Sequence, residues 1–340
     1  MSCIILVEVG PLEFWLGKRV AVPGGAGFIG SHVVEQLVAA GARVTVIDSL
    51  ESGRLENLAA VWPEITFIQG DVTAVDRCRT WFARQDAVLN LAGRAPGVGY
   101  SHLHHESQLA QNLLIGSGVL EGARQAGVPR VLVVSSSCVY PDDAPVPTPE
   151  LPLFTGEPER VNAGYGWAKR YQELQAHYYA EHFGMEIALA RPFNAYGARD
   201  LDLGERAHVI PALFGRLLSE APELVVWGSG LQTRSFIHAR DVAAALLLLT
   251  EHYAVCDPVN VGHDHEISLL ALVALLMEIS GINKPVVFDL SKPEGCLRKA
   301  ADMTKLRRVT GGFTPQTDLR AGLEEMLAAM ESRHLHIAGC

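Results

Sequence analysis

Of 340 residues, only six are cysteine, 19% carry a charge and 7% are aromatic. Cys3, Cys78, Cys138, Cys256, Cys296 and Cys340 form no C-x-x-C pair. Neither a disulfide framework nor a zinc ribbon is signalled, and reduced thiols in a cytoplasm are the expectation. Basic residues are outnumbered, 28 against 38 acidic, for a net charge of -10. A nucleic-acid binder presents a basic face, and the scattered Lys and Arg residues form none. Long apolar runs are missing too. Cys3–Val7 is far too short to span a bilayer and lacks the basic start and cleavage site of a signal peptide. Ala243–Leu249 reads as a buried helix. Neither a nucleic acid nor a membrane is an expected partner.

The abundant class is apolar, at 49%, and a chain of this length buries roughly three quarters of its unfolded surface in one or two domains. In the first half, short apolar runs alternate with helical patterns. Val20–Val22, Arg43–Asp48, Ile65–Gln69, Ala87–Leu91, Val131–Ser135 and Glu186–Ala190 read as strands. Ser31–Ala40, Leu109–Gln125 and Ala168–Phe183 read as helices. Strands separated by helices imply a parallel sheet covered on both faces, an α/β fold. Pro141, Pro145, Pro147, Pro149 and Pro152 mark Tyr140–Pro158 as a surface loop. After Pro192 the pattern changes to a helix at Pro211–Leu218, strands at Leu224–Trp227 and Val286–Phe288, and further helices. The expected division is a dinucleotide-binding domain over 12–192 and a mainly substrate-binding lobe over 193–332.

Gly24, Gly25, Gly27 and Gly30 follow the first strand and open the first helix. Glycines permit a tight turn and close approach of backbone to a pyrophosphate, whose charge the helix N-terminus favours. Gly24, Gly27, Phe28, Ile29 and Gly30 are therefore cofactor candidates. Asp48 ends the next strand, placed for the adenosine ribose hydroxyls. A 2′-phosphate ~4 Å from that carboxylate would cost several kcal/mol, so NAD is expected in preference to NADP. Asp71 and Val72 follow the third strand; Asp71 either touches the adenine or caps a helix. Leu91, Ala92 and Gly93 end the fourth strand, where small residues leave room for the dinucleotide.

Tyr165 and Lys169, four residues apart, share a helix face, and Ser136 ends the fifth strand. Moving a tyrosine from a pKa of about 10 to about 7 requires about 4 kcal/mol, which a close cation together with NAD⁺ could supply. Such a phenolate takes a proton from a sugar hydroxyl during hydride transfer. His102, His104 and His105 read as a solvated loop or a loop near the substrate, and no metal site is expected.

Glycine turn, acidic strand end, Ser136 and the Tyr165/Lys169 pair together resemble the extended short-chain dehydrogenase/reductases, over about residues 12–330. That resemblance implies a Rossmann-type doubly wound sheet with a smaller C-terminal substrate-binding lobe, NAD as cofactor, a nucleotide-sugar substrate and a homodimer. Val226–Phe236 and Gly97–Tyr100 are similar to GDP-mannose 3,5-epimerases. His208–Leu213 and Ser291–Gly295 are similar to GDP-L-fucose synthases, and Ser136–Pro141 to both. The resemblance implies proton-carrying roles at sugar carbons for Cys138 and His208, whose thiol and imidazole titrate near neutrality. It also implies substrate contacts at Gly99, Asn194, Arg216, Trp227, Arg234 and Arg298, with Arg234 on the diphosphate. Trp227 is equally readable as a core residue at a strand end.

The first expectation is an NAD-dependent epimerase acting on GDP-mannose or a related GDP-hexose, at C5 or at C3 and C5, through a transient 4-ketone. A GDP-4-keto-6-deoxymannose 3,5-epimerase-reductase ranks second, then a UDP-sugar 4-epimerase. An NAD-sensing binding protein is the non-enzyme alternative, although such proteins tend to lose Tyr or Lys of the catalytic pair, and both are present.

Overall fold

A computed structural model describes residues 13–338. Cys3, Cys340, the run Cys3–Val7 and the expected boundary at residue 12 lie outside the described residues. Seven parallel strands form the central sheet: β1 (Arg19–Pro23), β2 (Arg43–Asp48), β3 (Ile65–Gln69), β4 (Ala87–Asn90), β5 (Arg130–Val134), β6 (Glu186–Pro192) and β11 (Val259–Val261), in the order β11-β6-β5-β4-β1-β2-β3. Successive side chains of a strand point to opposite faces, and β1 shows it: Val20 and Val22 enter one core, Ala21 the other. The first core is closed by α1 (Phe28–Ala39) and α7 (Ala239–His252). The second is closed by α2 (Val75–Trp81), α4 (His105–Gln125) and α5 (Ala163–Phe183). The apolar stretch Ala243–Leu249 is buried inside α7, as its composition requires. Among the described residues, no helix is long and apolar enough to cross a membrane.

The chain leaves this sheet after β6 through the short β7 (Ala195–Tyr196) and builds a third core from α6 (Val209–Leu218), β8 (Leu224–Trp227), α8 (Leu269–Ser280) and α10 (Leu319–Ala338). Here β8 pairs with β13 (Val286–Asp289). Beside them β9 (Thr233–Ser235) is flanked by β12 (Glu266–Ser268) and β14 (Arg298–Lys299). The remaining short elements are α3 (Val98–Ser101), β10 (Ile237–His238), which pairs with β7, and α9 (Thr304–Val309).

The division expected at 192/193 needs a correction. Both α7 and β11 return to the first lobe, β11 as the seventh strand on β6. Three residues are too few for a sequence periodicity to declare them. Four helices also begin earlier than expected, at Phe28, His105, Ala163 and Val209.

Candidate active site

Strand order reverses at β1, whose neighbours are β2 and β4, and in such sheets ligands bind in the crevice beyond the strand C-termini at this switch point. Gly24 sits there with φ 75°. A Cβ on it would lie 2.5 Å from the Ala92 amide nitrogen, and one on Gly30 2.1 Å from the Gly24 carbonyl oxygen. The turn thus lies flat against Leu91–Ala92, while Gly27 opens α1 without a side-chain cap, leaving a backbone-lined cradle at a helix N-terminus. These features fit a dinucleotide pyrophosphate.

Asp48 is buried, and its carboxylate accepts from the Ala26 amide (3.0 Å) and the Leu50 amide (2.9 Å). It therefore ties the glycine turn to the end of β2, and burial raises its pKa. Asp71 accepts from the Thr73 amide at 2.9 Å, a local turn, while α2 starts at Val75 after an Ala74 cap. The capping alternative for Asp71 is thereby corrected. Val72 is buried, its carbonyl close to Gly118 of α4.

Ser136, Tyr165 and Lys169 converge. The Ser136 hydroxyl reaches the Tyr165 phenol and accepts from the Cys138 amide at 3.1 Å. Lys169 Nζ lies 5.5 Å from the centre of the Tyr165 ring and donates to the Val134 carbonyl (2.8 Å) and to Gln172 (3.2 Å). Burial lowers Lys169 to about 8, against the pull of Glu173. Burial likewise raises the Tyr165 phenol, with Cys138 adding to the rise. The depressed phenol expected from the sequence is thus not built by these side chains alone, because a buried anion is disfavoured before any partner compensates. Beneath them Glu173 pairs with Arg191 at 2.6 Å, both almost fully buried, and accepts from Ser135.

The two proton-carrying candidates share this cleft. Cys138 lies close enough to influence both Tyr165 and Lys169, and burial pushes its thiol up to about 12. His208 stands at the N-cap position of α6. Its Nδ1 meets Asp200 Oδ2 at 2.9 Å and its Nε2 meets the Ala95 carbonyl at 2.9 Å. Both partners only accept, so both ring nitrogens donate and the ring is an imidazolium. Asp200 raises His208 to about 9 against the effect of burial.

Ala95 stands two residues beyond Gly93, where a Cβ would lie 3.7 Å from Lys169 Nζ. The segment 94–100 also packs on 205–208: Gly97 donates to the Arg206 carbonyl at 2.8 Å. Gly99 faces the Trp227 ring, a Cβ there meeting it at 3.2 Å.

Arg216 and Lys292 lie 5.1 and 5.4 Å from the centre of the Trp227 ring. Arg216 donates to the Val225 carbonyl, Arg234 to the carbonyls of Thr233 and Glu294, and Asn194 to that of Ser235. Burial lowers both Arg216 and Arg234. Arg298 is corrected: it is half exposed and clamps Glu266 with two hydrogen bonds, while the next residue, Lys299, faces the cleft. Adjacent strand residues point to opposite faces, and here Arg298 is held by Glu266 while Lys299 pairs with Glu159.

Residues 20–262 match the NAD dependent epimerase/dehydratase family. The chain belongs to that family. It is similar to a probable GDP-L-fucose synthase of Oryza sativa subsp. japonica, 32% identical over 91% of this chain and 90% of that one. A dTDP-4-dehydro-6-deoxy-D-allose reductase of a Streptomyces species is 31% identical over 92% and 95%. Among solved structures, the UDP-glucose 4-epimerase of Thermotoga maritima with UDP-glucose has a TM-score of 0.83 at 28% identity, covering 93% of this chain and all of that one.

Sequence reasoning missed several residues of this family member's cleft. Glu159 and Lys299 form a buried pair at 2.9 Å beside Cys138. Asp200 and the Ala95 carbonyl set the charge of His208. No local motif announces Glu159 or Asp200, and Lys299 stands directly after Arg298 in the sequence. The histidines at 102–105 are used locally: His102 binds the Val98 carbonyl, His104 stacks on Tyr100, and His105 accepts from the Gly164 amide.

Proposed function

We propose that this chain is a nucleotide-sugar 3,5-epimerase-reductase, acting on a GDP-linked 4-keto-6-deoxyhexose and using NADH as its reductant. The names of its relatives support this second reading of the sequence over the first, a GDP-mannose epimerase.

The observation that carries it is the proton inventory of the cleft. An enzyme that oxidises a C4 hydroxyl starts from a phenolate. One that receives a C4 ketone starts from a phenol that donates to the ketone oxygen. Tyr165, beside Ser136 and Lys169, is placed to donate to such an oxygen. His208 donates from both nitrogens, which suits it to return a proton to a sugar carbon. Cys138 is then the group that removes one, since a ketone at C4 acidifies the hydrogens at C3 and C5. NAD supplies the hydride when bound as NADH. Asp48, buried at the ribose end, disfavours a 2′-phosphate. Gly24, Gly27, Phe28, Ile29 and Gly30 border the pyrophosphate, and Leu91–Gly93 the nicotinamide half. Arg216, Arg234, Asn194, Gly99 and Trp227 line the nucleotide-sugar path, with Lys299 in place of Arg298.

A GDP-hexose 3,5-epimerase is the second reading, favoured by the choice of NAD, which such an enzyme reduces and reoxidises in each turnover. Two incubations in deuterium oxide separate them: GDP-4-keto-6-deoxymannose with NADH, and GDP-mannose with NAD. The proposal expects deuterium at C3 and C5 and consumption of NADH in the first. Exchange in the second alone overturns it in favour of the epimerase.

The exposed faces of α4 and α5 carry Leu114, Trp167, Tyr171, Tyr178 and Phe183. These exposed apolar side chains support a homodimer joined through the two helices. Light scattering of the wild type and of Trp167→Glu tests it, with a monomer expected only for the variant.

A further inference from the structure

We propose that Glu159, acting through Lys299, is a positioning residue that sets when the Cys138 thiol ionises. The inference rests on the reading of Cys138 as a proton carrier.

Glu159 and Lys299 are 2.9 Å apart, and their side chains are only 6% and 11% exposed. A buried ion pair that serves no packing need is costly to build. This pair stands against Cys138: Lys299 Nζ is 3.9 Å from the sulfur, the Glu159 carboxylate is within reach of the thiol, and the Glu159 amide donates to the Cys138 carbonyl at 3.2 Å. Asn162, from the turn before α5, donates to the same carboxylate at 2.8 Å and fixes its orientation. The thiol therefore sits between one cation and one anion of a rigid pair.

The two charges pull oppositely. Lys299 favours the thiolate and Glu159 opposes it, on top of the larger effect of burial. The pair holds itself ionised: despite burial, Lys299 and Asn162 bring Glu159 down to about 2. Other charged or titratable groups facing the cluster are Tyr165 and Lys169 from α5, Cys296 and Asp142 across the carboxylate, and Arg234 from β9. None neutralises Glu159 as Lys299 does. Consequently Cys138 rests as a thiol, and a change in how tightly Glu159 holds Lys299 moves it toward thiolate. An anion that draws Lys299 away from the sulfur would keep the thiol protonated, whereas loss of the Glu159 charge leaves the cation to the sulfur alone.

The test compares Glu159→Gln, Lys299→Met and the double variant with wild type in the full chain, with Cys138→Ser as the blank that subtracts the other thiols. Thiolate ultraviolet absorbance is followed against pH without sugar. Glu159→Gln, which keeps shape and the Asn162 contact region, should lower the Cys138 midpoint by at least about one pH unit. Lys299→Met should raise it, and the double variant should fall back near the wild-type value. An unchanged or raised midpoint in Glu159→Gln overturns the proposal. That variant decides alone if Lys299→Met fails to fold by circular dichroism. Solvent-deuterium exchange into the sugar is then measured against pH, and its acid limb should move down with the midpoint in Glu159→Gln. Exchange whose pH profile stays fixed while the thiol shifts would overturn the positioning role. Thiol midpoints that move as stated while no variant, nor wild type, exchanges any nucleotide sugar support the coupling and sink the assigned reaction instead.

Discussion

The two halves of the cleft are built on different principles. The cofactor half is one stretch of chain: β1, the glycine turn and the start of α1, tied by Asp48 from the neighbouring strand. Its geometry follows from local backbone freedom. The proton-handling half gathers Cys138, Glu159, Asp200, His208 and Lys299 from segments up to 161 residues apart. There, the identity of each side chain matters less than what lies against it. His208 is an imidazolium because of two acceptors, and Cys138 a thiol because of burial.

The largest effect should come from the residue that serves both halves. Tyr165→Phe should cut turnover about 10³-fold while leaving dinucleotide binding and the unfolding midpoint close to wild type. A variant keeping more than about a tenth of the activity would remove Tyr165 from the proton path.

Next come the distant residues. Cys138→Ser and His208→Asn should each lower inversion at the sugar about 10²-fold, with ketone reduction by Tyr165 still measurable as NADH loss. Equal loss of inversion and reduction would mean that the two halves are not separable.

The cofactor half breaks differently. Gly30→Ala places a Cβ 2.1 Å from the Gly24 carbonyl, and relief must shift backbone. NAD affinity should fall at least about tenfold, measured by calorimetric titration, while the thiol chemistry of Cys138 toward iodoacetamide is unchanged. The same titration with the native chain should give NADP binding weaker than NAD by about tenfold or more. Tighter NADP binding would overturn the assignment of Asp48.

The smallest effect tests His208. Its pKa is raised to about 9 from an ordinary 6.5, so its contribution to stability is fully present below about pH 6.5 and is lost as pH rises through about 9. The side chain is 41% exposed, so screening keeps that contribution small. Asp200→Asn should lower the melting temperature by a few degrees near pH 6, and the difference should close by about pH 9.5. A difference that grows with pH would contradict the doubly donating ring.

Much of the fold was legible because strands and helices announce themselves by local periodicity. Six strands of the central sheet and the body of the helix bearing Lys169 were readable, whereas the first turn of that helix, which carries Tyr165, and β11, three residues long, were not. At the site, Asp48 was placed correctly at the end of β2, yet its bonds to the Ala26 and Leu50 amides were invisible. Arg298 was expected at the substrate, because strand facing cannot be assigned before β14 is known to lie beside β9.

The amino-acid sequence by itself determined the glycine turn, its acidic neighbour and the helix bearing Lys169, since each depends on residues a few positions apart and on backbone sterics. Only the tertiary structure decided the charge states of the cleft. Burial, the Glu159–Lys299 pair and the acceptors around His208 arise between segments distant in the chain, and a pKa depends on distance in space and on exclusion of water, neither of which is written in sequence order.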